Sequence, residues 1–473
     1  MRNVRNGNSL MAVFIGKQLM KTLVLKVSIG RIMTLCACII KKYKLYPNPN
    51  IMKNLFIFIF AFTTISVQAQ ENWAQFRGPN GQGISKATGL PVSWSVDENI
   101  VWKTDIPGEG WSSPIVWNDH IFLTTTTDGG KNCHVIAVDR KTGKVLWDKL
   151  VFTQNLEGKR RHPMNSFATS TPVTDGNTVF AVFFSGSFAA LDFNGNVRWI
   201  NTDLDFYSQH GLSASPILYG DLLLLAVDQS NREEPKKLGF QEQWDKGYLL
   251  ALDKNTGKER WRGMRGMSRL GHSVPVVMRV NGKDQIISTA GDVIQGFDPT
   301  NGKLIWTIKY EGEPCVPTPV IGDGLVYSSK AMTLPIVAVR PDGQGDCTET
   351  HIVWEQKGNT PMMSSFLYVK PCLYTCTNSN GFACMDATTG ELFWHQRLGI
   401  GALNPSPVYA DGKIYVLSEL GTTVVLKLSD DPKKQAEIIA TNELKVDLCR
   451  ASIAVAAKQL IIRTNNHLWC IGK

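Results

Sequence analysis

The chain has 473 residues, a formal net charge of +9, 43% apolar and 19% charged residues, 41 Gly, 22 Pro and 13 Trp. That length exceeds one ordinary domain of roughly 100–200 residues; the apolar content excludes disorder, and the Gly, Pro and aromatic content points to a turn-rich β protein rather than a helical bundle. The basic excess sits in residues 1–70, which hold ten Lys or Arg and no acid, leaving 40 basic against 41 acidic residues beyond; without a basic footprint to release phosphate counterions, nucleic acid is excluded as a partner.

Taken in chain order, Met52-Lys53-Asn54 and the apolar run Leu55–Ile65 read as the basic and hydrophobic parts of a signal peptide. Val67-Gln68-Ala69 offers a cleavage site before Gln70, and the run is about half the roughly 20 residues that span a bilayer. Residues 1–51 then read as a mis-called extension, 52–69 as the signal and 70–96 as an N-terminal arm. The rival is a membrane segment around Met11–Ile40, but Lys17, Lys21, Lys26 and Arg31 interrupt it. Export is expected, to the periplasm or cell envelope, with membrane association through the leader only.

From residue 97 onward one unit recurs. Ser113-Pro114-Ile115-Val116 opens it, and Thr142-Gly143-Lys144-Val145-Leu146-Trp147 closes it; further copies end at Trp199, Trp261, Trp306, Trp354 and Trp394. A seventh opens at Ser406-Pro407 and decays near Ile438, and an eighth opens at Ala451-Ser452-Ile453 and stops after three strands. Each unit holds four short β-rich runs, the form of an antiparallel blade. Asp139, Asp253, Asp298 and Asp386 suit the third turn as acceptors, with Gly143, Gly257, Gly302 and Gly390 at its positive-φ position. The Trp that follows is read as a wedge between blades. Asn99-Ile100-Val101-Trp102 supplies a spare fourth strand, so 97–473 is expected to close as an all-β, eight-bladed β-propeller of four-stranded antiparallel blades, its N-terminal strand pairing with the three C-terminal ones. Seven blades would leave one opening or one Trp strand unused.

The ALDxxTGKxxW units resemble the tryptophan-docking repeats of pyrroloquinoline-quinone (PQQ) propellers, which include quinoprotein dehydrogenases and the outer-membrane assembly lipoprotein BamB. Trp73-Ala74-Gln75-Phe76-Arg77-Gly78-Pro79-Asn80-Gly81 is similar to the start of an exported subgroup named only for these repeats. The resemblance implies the fold; it is silent on activity, because enzymes and non-enzymes share it. The dehydrogenases' vicinal disulfide and haem-binding CxxCH have no counterpart, their calcium-binding Glu/Asn/Asp set and catalytic Asp cannot be placed by motif, and the signal lacks a lipid-acceptor Cys beside its cleavage point.

In such propellers the loops entering the first strands share one face. Those loops carry Arg160, Arg161, His162 and Asn165, then Gln209 and His210, then Arg269 and His272, and later Asn404 and Arg450, while the insertion 229–247 overhangs them. They read as a funnel of donors for a small anionic or hydroxyl-rich ligand, or as ordinary polar loops whose His and Arg cap carbonyls. A metal on His162, His210 and His272 is allowed by residue type but not by spacing. Glu109, Asp205 and Glu313 are scattered carboxylates without a pair. In blade six a three-residue turn would set Cys376 opposite Cys384, within reach of a disulfide. Alignment gives Cys384 and Cys470 a duller role, in a small buried slot shared with Ala137, Ala190, Ala251, Gly296 and Ala338, with Leu426 the exception. The expected function is an exported, non-catalytic propeller binding a small ligand or an envelope protein on its funnel face. The alternatives are a dehydrogenase of alcohols or sugars using PQQ with Ca²⁺, and a BamB-like scaffold for outer-membrane protein assembly.

Overall fold

The computed structural model describes residues 72–472 except 160, 313–315, 331–333 and 378–379. The leader, Arg160, Glu313 and Cys315 lie outside the described residues. Among the described residues no helix is long and apolar enough to cross a membrane.

Eight sheets form the propeller. Blades 1 to 7 span 115–153, 173–201, 217–264, 276–309, 320–356, 367–397 and 408–443, each with its strands in chain order from the axis outward. Blade 8 takes three strands from 454–471 and its outermost from Ile100–Asp105, which pairs antiparallel with His467–Ile471 and sets Trp102 against Cys470. Burial follows this order. Middle strands such as Thr178–Val182 are buried throughout, whereas outer strands such as Val197–Asn201 are largely exposed. The apolar cores therefore lie between blades; one cluster joins Ile121 and Ile136 of blade 1 to Ile461 of blade 8 and Tyr415 of blade 7.

The repeated turn explains how neighbours lock. Asp139 Oδ1 accepts the N–H groups of Lys141 and Thr142, and Gly143 sits at φ 74°. A methyl group on Gly143 would lie 2.6 Å from the ring of Trp102, and one on Gly257 2.5 Å from Trp199. Each of these Trp rings lies on the turn glycine of the next blade. Trp102, Trp147 and Trp199 also donate Nε1–H to the carbonyls of Arg140, Phe193 and Lys254, and Trp354 and Trp394 to those of Ala387 and Pro432. The small slot lies directly across from the Trp: Ala137 faces Trp147, Cys384 faces Trp394, and a bulge follows in each case. In blade 7 the bulge makes Val425, not Leu426, the slot residue, and it faces Ala440 where a Trp would stand.

Blade 4 departs from the four-strand expectation. Gly345–Asp346 adds a fifth, parallel strand against Trp306 and Thr307. Trp306 is fully buried and donates to Gln285 Oε1 (2.8 Å) within its own blade, while Trp261 still lies on Gly302. Its slot residue is Gly296 because any Cβ there would collide with the Trp306 indole.

The hairpin of blade 6 also differs. Thr377 N–H donates to Gly381 O, extending the ladder, so Cys376 faces Phe382 and Cys384 faces Tyr374. The seven described cysteines outside the leader are free and buried, and burial pushes the Cys376 thiol up to about 12.

The arm runs across the end of the ring opposite the incoming loops. Trp73 bridges to Val116 in blade 1, and Ala74 O accepts from Thr174 in blade 2. Phe76 packs with the blade 3 core, Gln82 Oε1 accepts from Ile321 in blade 5, and Arg77 donates to Phe366 O in blade 6. Ile84 bridges to Tyr409, and Trp94 N–H reaches Asn442 Oδ1, both in blade 7. The arm closes one end of the central channel.

Candidate functional site

The other end of the channel opens as a cavity of about 740 Å³. Its floor is set by the residue two positions before each inner strand. Ser113 N–H donates to Thr171 Oγ1 and Thr171 N–H to Ser215 Oγ, each at 2.9 Å. Thr318, Ser365 and Ser406 likewise donate to Ser365, Ser406 and Ser452, and Ser452 returns to Ser113 Oγ, all at 2.9–3.0 Å. Val274 occupies the blade 4 position and interrupts the ring, though its own N–H reaches Thr318 Oγ1 at 3.4 Å.

Above this floor stand three imidazoles from successive incoming loops. The rings of His162 and His210 are 4.6 Å apart, and those of His210 and His272 are 5.6 Å apart. His272 Nδ1 pairs with Ser213 Oγ at 2.9 Å, and its Nε2 lies 3.4 Å from His210 Nδ1. His272 is partly buried and borders the cavity. Burial, then the neighbouring imidazoles, lowers His272 to about 3, and burial with His162 lowers His210 to about 4. Both are neutral at pH 7. Among the described residues no group of three His, Cys, Asp or Glu side chains is disposed to hold a metal.

The predicted residues divide. His162, Asn165, His210, Arg269, His272, Asn404 and Arg450 border the cavity. Asn165 donates to His210 O (2.6 Å) and holds that loop. Gln209 lies against His210 Nε2 at 3.2 Å, set back from the lining. Arg161 does not reach the lining; it pairs with Glu109 (2.6 Å), caps Asn165 O and lies over Phe167. The arginines that do reach it are already engaged. Arg450 pairs with Glu419 (2.6 Å), which also accepts from Asn404, and stacks 4.2 Å over Trp111. Arg269 donates to Gly312 O and lies 3.4 Å from Asp292. The insertion contributes Phe240, against His210, and Gln241.

Sequence reasoning missed the hydroxyl floor, Phe76, Trp111 and Ser213. The signal for the floor was present, since most blade openings carry Ser or Thr immediately before Pro, Phe or Ile. Nothing local marks Phe76, which reaches the cavity from the arm.

An eight-fold ring of Trp-docked blades around a channel is the geometry of a repeat family, and overlapping matches over 85–232, 213–333, 245–364 and 346–462 identify it as the PQQ-repeat family described as outer membrane protein assembly factor BamB. The chain belongs to this family. No curated protein sequence matches it. Among solved structures it is similar to BamB from Moraxella catarrhalis, at 15% identity and a TM-score of 0.53, over 79% of this chain and 97% of that one. It is also similar to a europium-containing methanol dehydrogenase, at 11% identity and a TM-score of 0.63, over 85% and 98% respectively. Identity this low shows the fold alone.

The quinone and calcium pairing that the resemblance implies can be tested against the donors present. Calcium takes six to eight oxygens, carboxylates prominent among them. Among the described lining residues there is no Asp or Glu, and the nearby Glu109 and Glu419 are bound to arginines. These residues do not fit a calcium-assisted quinone.

Proposed function

We infer that the protein is an exported propeller whose funnel binds a small polar ligand, anionic or hydroxyl-rich, without transforming it. The observation that carries this reading is the lining: hydroxyls, amides, imidazoles and two ion-paired arginines around about 740 Å³, with aromatic walls and no described carboxylate. Such a mixture suits orientation of a ligand by a few polar groups against apolar surface. Ser213 and His272 have the spacing of a nucleophile and base, but an imidazole lowered to about 3 is a weak proton acceptor.

The relatives lean towards the two alternatives. The family description, an outer membrane protein assembly factor, favours an assembly scaffold, and a methanol dehydrogenase shares the fold. One experiment separates all three. The purified chain is assayed for dye-linked oxidation of alcohols and sugars with PQQ and Ca²⁺, titrated with small ligands, and probed for co-purifying envelope proteins. Small-ligand binding that responds to His210→Ala, without turnover, supports the binder. Turnover that requires PQQ overturns it, and envelope-protein capture in its place supports the scaffold. For export, a chain begun at Met52 is expected to be cut between Ala69 and Gln70; a mature terminus upstream of Met52 would refute that.

A further inference from the structure

The floor of the funnel has an unspent chemistry. Ser113, Thr171 and Ser215 on one side, and Thr318, Ser365, Ser406 and Ser452 on the other, are each at least nine-tenths buried and border the cavity. Every one of these oxygens accepts a backbone N–H from the neighbouring blade. A hydroxyl that accepts an N–H must direct its own proton elsewhere. Among the described residues none of the seven donates to a protein acceptor. The ring is therefore a set of O–H donors with no protein partner.

Two buried guanidinium groups flank this ring. Arg77 of the arm donates to Phe366 O, one residue along the strand from Ser365, and to Gln82 O; its Nε and Nη1 have no partner among the described residues. Arg463 donates to Ser112 O, Ser112 Oγ and Thr124 O, beside Ser113, and its Nε and Nη2 are likewise unpartnered. Both side chains are about 1% exposed, and no described carboxylate pairs with either. Burial lowers both to about 9, so both remain charged at neutral pH. Uncompensated buried charge is costly, and an opposite charge held nearby offsets it.

We propose that the hydroxyl ring, with Arg77 and Arg463 behind it, is an oxyanion subsite that seats the carboxylate or phosphate oxygens of the funnel's ligand. The proposal rests on the binding reading and deepens it. Positive charge comes from the two buried guanidiniums rather than from Arg269 and Arg450, whose carboxylate neighbours neutralise them. Each floor hydroxyl still offers one O–H donor and one acceptor lone pair, so it is the buried guanidinium charge, not the hydroxyls, that favours an oxyanion over a sugar hydroxyl. Where Val274 breaks the ring, it and Phe76 give the floor an apolar side.

The test is calorimetric titration of the full chain with citrate, with inorganic phosphate and with glucose. At least one oxyanion should bind tenfold or more tightly than glucose, and the citrate and phosphate arms tell which oxyanion the floor prefers. Ser406→Ala should weaken oxyanion binding about tenfold, the scale of one hydrogen bond to a charged group. Because that change also orphans the Ser365 N–H and endangers folding, two further variants carry the test. Val274→Thr supplies the missing hydroxyl and should tighten oxyanion binding several-fold. Arg77→Met should weaken it while raising the melting temperature of the ligand-free protein, a pair of opposite effects that a purely structural arginine would not give. Oxyanions bound no better than glucose overturn the proposal, as does oxyanion affinity unchanged in Val274→Thr and Arg77→Met. If binding responds to His210→Ala but not to the floor variants, the ring falls and the funnel reading stands.

Discussion

The imidazoles of the funnel wall tie protonation to folding. His210 and His272 sit well below the value near 6.5 that each regains on unfolding. The unfolded chain therefore binds protons that the native one refuses, and stability rises with pH across that interval. The contribution is complete above about pH 6.5 and is lost progressively as pH falls towards 4. Melting temperatures of the wild type should drop steadily from pH 7 to 4.5, and those of His272→Gln should drop less; parallel curves would refute the assignment. A second residue-scale expectation concerns Trp docking. Gly257 and Gly220 both have positive φ, but only at Gly257 does an added methyl meet a Trp ring. Gly220→Ala should cost about 1 kcal/mol for its backbone alone, and Gly257→Ala about 1–3 kcal/mol more. Chemical denaturation of the two variants checks the difference. At this scale the sequence was informative where chemistry is local: the Asp and Gly of each turn announce themselves. It was silent on Arg161, whose partner Glu109 lies 52 positions away, and on the direction of the floor's hydrogen bonds.

At the scale of elements, period-two patterning and turn residues made the blades readable, and they made the closing strand readable as a fourth strand without a sheet. The fifth strand of blade 4 was not readable, because a two-residue parallel pairing has no periodicity of its own and depends on a backbone brought from 39 positions beyond. The blade 6 hairpin was misread for a related reason: the turn is closed by Thr377 with Gly381, which moves every partner on the returning strand by two positions. The closing strand gives a sharp test. Deleting 97–104 removes the partner of His467–Ile471, exposes a sheet edge and takes Trp102 off Gly143. The melting temperature should fall steeply. An unchanged value would refute the closure.

At the scale of the whole molecule, the arm makes the channel a funnel rather than a tunnel. Its route touches blades 1, 2, 3, 5, 6 and 7, so it ties together inner strands that otherwise meet only through their neighbours. Trp73 and Trp94 are buried at its two ends, and Gly78 is packed so closely under Trp73 that a methyl group there would lie 2.7 Å from the ring. Between them Arg77 is buried with the donors of its Nε and Nη1 unspent. The arm therefore mixes strong apolar anchoring with one unfavourable charge, and two substitutions four positions apart should move stability in opposite directions. Trp73→Ala leaves a large cavity against blade 1 and should cost about 3–5 kcal/mol. Arg77→Met removes the buried charge, keeps most of the volume and should stabilise the ligand-free fold. Hydrogen exchange should then report loosened inner-strand ends in blades 1 and 2 for Trp73→Ala and none for Arg77→Met. An arm that merely lies on the surface would leave both variants melting like the wild type, and that result would refute its role as the base of the funnel.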